Sequence, residues 1–144
     1  YFKRIPKIII VEPDGADCVL QSIKSKSLKK IKIKKESIMG GMSCNEMSLI
    51  PWHVLKKASD CCVTVNDSKV PKTVAMLKDK KLSKRSIIGG ECATPGIISL
   101  ISLCNNPKTK KLINLNEKSN VLVIGCEGNA DVKLYKQLLS KGRK

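Results

Sequence analysis

The sequence predicts an α/β fold, a mostly parallel sheet with helices on both faces. Two observations carry this. Short runs rich in Ile and Val, such as Ile8-Ile9-Ile10-Val11, are apolar at successive positions, as in strands buried on both faces. Segments with apolar residues at helical spacing follow them, so strand and helix alternate along the 144 residues. That length suits one domain with a sizeable core, and residues 1–144 read as a single α/β domain.

The elements follow in order. Glu12-Pro13 stops the first strand, and Asp14 or a neighbour can cap a helix through Ala16, Val19, Leu20 and Ile23. Residues 31–35 alternate apolar and basic, which suits a short edge strand. Residues 37–49 carry Gly40-Gly41 and little periodicity, so they read as a long loop, either functional or a plain surface connection. Pro51 fits the first turn of a helix through Trp52, Leu55 and Ala58. Cys61 to Val65 reads as a second strand, and Asp67 or Ser68 caps a helix through Val70, Val74 and Leu77. Ser86 to Ile88 reads as a third strand, closed by Gly89-Gly90, with a helix from about Thr94 to Cys104. Residues 108–113 suit a short basic helix, and Val121 to Ile124 a last core strand. Asn129 caps a final helix through Val132, Tyr135, Leu138 and Leu139.

Composition narrows the function. The net charge is +16, but the lysines are scattered in pairs such as Lys29-Lys30 and Lys110-Lys111, and the chain has one Trp, two Tyr and one Phe. A binder of nucleic acid would be expected to gather its charge into a stripe or to add aromatic stacking platforms. A solvated lysine-rich surface is the simpler reading, and nucleic acid is not the expected partner. Seven cysteines with no CxxC pair and a single histidine, His53, form neither a disulfide framework nor a zinc ligand set. With no apolar run long enough to span a bilayer and no secretory signal, the chain reads as cytoplasmic, with reduced thiols.

Ligands of open α/β sheets bind beyond the carboxyl ends of the strands. Two turns there share a design: Gly89-Gly90-Glu91-Cys92-Ala93-Thr94 and Gly125-Cys126-Glu127-Gly128-Asn129-Ala130. Small residues admit close approach to the backbone, and the following helix offers free N–H donors. Neither spacing is a dinucleotide or Walker fingerprint, and from the turns alone glycine serving turn geometry is the simpler reading of both. Cys126 suits a neutral hydrogen-bonding role better than a nucleophilic one, since Glu127 beside it disfavours the thiolate.

At these residues the chain resembles the diaminopropionate ammonia-lyases. The resemblance runs through Ile8 to Pro13 with Ala16-Asp17-Cys18, and through Gly40 to Glu46 with Leu49, Pro51 and Trp52. It continues in Gly90 to Thr94, which looks like the family's Gly-Glu-Ser-Gly-Ala turn, and in Cys126 to Asp131 with Tyr135, similar to its Thr-Glu-Gly-Asp-Thr-Asp and following tyrosine. It implies the C-terminal part of a fold-type-II pyridoxal-phosphate enzyme, tryptophan synthase β-like. The family's reaction is α,β-elimination of a small amino-acid substrate, 2,3-diaminopropionate, to pyruvate and ammonia. In that light the cofactor-binding residues are Cys126, Glu91, Gly90 and Glu127, and the substrate-side loop holds Gly41, Cys44 and Asn45. The thiol of Cys126 would face the pyridine nitrogen.

The resemblance also implies that the lysine anchoring the cofactor, the phosphate loop and the main acid/base groups precede Tyr1, so no catalytic residue and no metal site are expected in these 144 residues. The chain alone is then expected to be inactive, and to act as a homo-oligomer or with a complementing N-terminal half. The other function it fits is a non-catalytic α/β module: a complementing half, a ligand sensor or an interaction partner. Departures from the family pattern, Asn45 for Gly, Cys92-Ala93 for Ser-Gly and Asn129-Ala130 for Asp-Thr, fall on loops and turns expected to face the pocket.

Overall fold

The structure is a computed structural model that describes residues 5–144. Residues 1–4, where the chain opens at Tyr1, lie outside it. Strands β1 (Ile9–Pro13) and β2 (Cys61–Val65) pair in parallel, with Ile9 opposite Cys61 and Pro13 opposite Val65. Parallel neighbours need a crossover, and α1 (Cys18–Ser25) and α2 (Leu49–Ala58) lie within it. Helices α3 (Val70–Lys78), α4 (Pro95–Cys104), α5 (Pro107–Leu112) and α6 (Val132–Gly142) follow. Helix α4 packs across both strands, and α6 lies along α3.

The main core joins these layers: Met39, Val65, Val70, Val74, Ile98 and Leu138 are all buried in it. A satellite cluster of Cys18, Met47 and Trp52 sits under α1 and α2. Ile, Leu and Val supply much of the apolar burial, as the scarcity of aromatics requires, with Met39 wholly buried.

The ends of the helices differ from their predicted caps in three places. Asp14, the expected cap of α1, accepts from Asn66 Nδ2 (2.6 Å), and Asp17 at the start of the helix makes no side-chain cap. Instead the buried Glu12 carboxylate reaches over from β1 and accepts the N–H groups of Val19 (2.8 Å) and Leu20 (2.9 Å). Asn66, one residue before the expected Asp67, caps the turn leading into α3 by accepting from Ser68 N. Asp131, rather than Asn129, caps α6 by accepting from Leu134 N at 2.9 Å. Asp67 is used elsewhere: its carboxylate accepts from Ser37 Oγ (2.6 Å) and Ile38 N (2.8 Å), pinning the start of the Gly40 loop. Among the described residues, the non-glycine residues with positive φ, Lys26, Lys80 and Asn114, each follow the end of a helix.

Three segments expected as strands form no ladder among the described residues. Residues 31–35 are tied by Ile31 N to Asn45 O, within a loop. Ile87 N donates to Leu77 O at the end of α3. Residues 121–124 take no regular structure, with Leu122 86% and Ile124 77% exposed. An apolar run becomes a strand only where a neighbouring backbone takes up its N–H and C=O groups, and only β1 and β2 do so for each other here. No helix among the described residues is long and apolar enough to cross a membrane.

Candidate functional site

The two predicted turns meet although they are more than 30 residues apart. The turn Gly90–Ala93 precedes α4, and the turn Gly125–Gly128 lies across it. Gly90 N donates to Glu127 O at 3.3 Å. Cys92 N donates to Glu127 Oε1 at 2.8 Å. Cys126 Sγ donates in return to Cys92 O at 3.4 Å. The backbone of Cys92 is thus held on both sides by consecutive residues of the other turn.

Gly90 is required by this approach. A Cβ there would lie 2.3 Å from Gly128 O and 2.5 Å from Glu127 Oε1. Its φ is an ordinary −74°, so close packing and not backbone conformation demands the glycine. The third predicted segment arrives through Gly41, where a Cβ would touch Cys92 Sγ at 3.4 Å. By contrast, nothing lies within 4 Å of a Cβ built on Gly40 or Gly128. Those two glycines border open space.

Gly41, Gly90, Glu91, Cys126 and Glu127 therefore converge. Cys44 and Asn45 do not share these contacts. Cys44 lies near Cys18, whose thiol is pushed up to about 11 by burial first, then by Glu12 and Cys44, and Asn45 O accepts from Ile31 N. A short 3-10 turn over Gly40–Met42 bends the loop between them.

The electrostatics are those of a partly buried acidic pair. Oxygen atoms of Glu91 and Glu127 and the Cys92 sulfur all lie within 4.8 Å of one another. Burial and then the neighbouring Glu127 carboxyl raise Glu91 above the usual carboxylate range. Burial pushes the Cys92 thiol up to about 11, so it stays protonated at neutral pH and behaves as a small apolar group. Cys126 is exposed at the rim. Among the described residues, no lysine or arginine lies within ion-pair distance of Glu91 or Glu127. The part played by Cys92 was not foreseen in the sequence, where no local signal marks a backbone group paired across 35 residues.

These features define a class first. Among solved structures, the crystal structure of diaminopropionate ammonia-lyase from Escherichia coli in complex with D-serine matches with a TM-score of 0.82 at 28% identity, over 95% of this chain and 34% of that one. The same enzyme in complex with an aminoacrylate-PLP azomethine reaction intermediate matches with a TM-score of 0.78 at 28% identity, over 95% and 35%. The T.th. threonine deaminase matches at 0.60 with 12% identity over 67% of this chain and 34% of that one, a likeness of fold alone. The architecture is thus the α/β fold of fold-type-II pyridoxal-phosphate enzymes.

No family model matches the chain. Curated relatives do: the diaminopropionate ammonia-lyase of Escherichia coli K12 is 30% identical over 138 residues, 94% of this chain. That of Salmonella typhimurium LT2 is 27% identical over 147 residues, 98% of this chain. The chain is thus similar over nearly its whole length to diaminopropionate ammonia-lyases, and it spans about 35% of the length of these relatives.

Proposed function

We propose that these residues form one wall of the pyridoxal-phosphate pocket of an ammonia-lyase of the diaminopropionate type, and that the 144 residues by themselves do not turn over. The observation that carries this reading is the convergence of Gly41, Gly90 to Cys92 and Cys126-Glu127 from three separate parts of the chain.

The residues present fit the cofactor. The open space beside Gly40 and Gly128 leaves backbone accessible to a flat ring. The exposed group at the rim is the Cys126 side chain, while the carboxylate next to it is turned back onto Cys92 N. When bound, pyridoxal phosphate supplies the electron sink that α,β-elimination of 2,3-diaminopropionate to pyruvate and ammonia needs. Cys126 Sγ, whose single proton goes to Cys92 O here, would have to turn that proton outward to donate weakly to the pyridine nitrogen, and without a carboxylate there the ring would stay largely unprotonated. Glu91 would pack beside the ring, and the Gly41 loop would close the substrate side. None of the chain's lysines sits in the family's lysine motif, so these residues hold and orient but do not start the reaction.

Ile87, Ile88, Leu122 and Ile124 leave exposed apolar side chains on backbone outside any strand ladder. That supports a partner: self-association, or a complementing half that brings the lysine and phosphate loop. Seven unpaired cysteines support a reducing, cytoplasmic setting.

The test is to incubate the purified chain with pyridoxal phosphate and 2,3-diaminopropionate and follow pyruvate, then repeat after co-expression with the first two thirds of the E. coli relative. Pyruvate only in the second case, with a light-scattering mass above the monomer, is expected. Turnover by the chain with cofactor alone would overturn the reading.

A further inference from the structure

We propose that Glu127 is a clasp, a positioning residue that fixes the Cys126 turn onto the Gly90–Ala93 turn, and not a group that reaches the cofactor. Its backbone carbonyl is taken by Gly90 N and its Oε1 by Cys92 N, so these two of its three oxygens face the opposite turn. The stretch it anchors has few other holds. Within residues 116–130 no side chain is buried, and only Val123 and Glu127 are less than exposed. Val123 leans on α4, where a Cβ on Gly96 would meet its Cγ1 at 2.7 Å. Cys126 itself is exposed and contributes one weak thiol hydrogen bond. The position of Cys126 is therefore set by its neighbour's carboxylate.

The length of the side chain matters. A carboxylate accepting a backbone N–H makes a strong, charge-assisted bond. Glutamine keeps the acceptor at the same reach, aspartate keeps the charge but falls one methylene short, and alanine removes both. The clasp itself stands on the geometry of this chain. Only what Cys126 faces rests on the pocket reading above.

Amide hydrogen exchange on the full chain reads the clasp directly. In Glu127→Ala and Glu127→Asp, exchange at Gly90 and Cys92 should quicken about tenfold or more. Amides of α3 and α6 should keep their protection. Glu127→Gln should stay near the parent rate. Alkylation of Cys126, followed by peptide mass with the exposed Cys104 as internal control, should change in Ala and Asp but not in Gln. Parent-like exchange at Cys92 in the aspartate variant would overturn the clasp, and it does so even if the alanine variant unfolds. Protection of Cys126 from alkylation by added pyridoxal phosphate in the parent chain tests the pocket reading separately.

Discussion

Glu12 offers the sharpest test of how β1 and α1 are joined. Replacing it with alanine removes the acceptor of Val19 N and Leu20 N, at the start of a helix with no side-chain cap of its own. An unsatisfied donor costs about 1–3 kcal/mol when fully buried, which would give a ceiling of roughly 6 for two. Val19 and Leu20 are only half-buried, so water recovers part of this. Removing the carboxylate also relieves the cost of burying it. The expected net loss is about 2 kcal/mol, in the range of a strong cap. By urea unfolding followed by circular dichroism, the midpoint should fall by about 1 M.

The pH dependence has a definite sign. Burial raises the Glu12 pKa above its ordinary 4.5, against the pull of the two N–H groups, with Asp17 adding to the rise. A raised folded-state pKa means the group's contribution is full below 4.5 and shrinks as pH rises through the folded value. The gap between parent and Glu12→Ala should therefore be wider at pH 4 than at pH 7. A loss below about 0.5 kcal/mol, ordinary for a surface substitution, would refute the capping argument. So would a gap that widens as pH rises.

Other substitutions probe the remaining joints. Leu138→Ala empties a side chain that is 2% exposed on α6, and should cost about 2–4 kcal/mol by the same urea titration. Gly90→Ala should force the two turns apart, with loss of exchange protection at Cys92 while the thermal midpoint of the α3–α6 layer holds. Asp131→Ala should cost about 1 kcal/mol of thermal stability through the lost α6 cap, whereas Asn129→Ala should be neutral.

Helices were legible in the sequence because apolar spacing and prolines mark them locally. Pro51, Pro95 and the Val70-Val74-Leu77 stripe all lie where a helix forms. Strands were legible only in part. Residues 8–11 and 86–88 look alike as apolar runs, yet a ladder depends on a partner that no local pattern reveals. Caps were off by one or two residues where several Asp, Asn and Ser stand together, as at 66–68 and 129–131. In the site, the glycines pointed to the right turns. That Glu127 binds the other turn's backbone could not be read, because its partner is 35 residues away.

The residues that end the helices carry a consequence for engineering. Lys26, Lys80 and Asn114 take φ of 57°, 59° and 54°, a region where glycine is at ease and lysine is not. The left-handed conformation costs a residue with a Cβ about 1–2 kcal/mol. Lys26 and Lys80 thus keep stability in reserve, and glycine at either would release part of it without touching the core. A protein that is difficult to purify could be made sturdier first at these two surface positions, leaving every residue of the proposed pocket as it is.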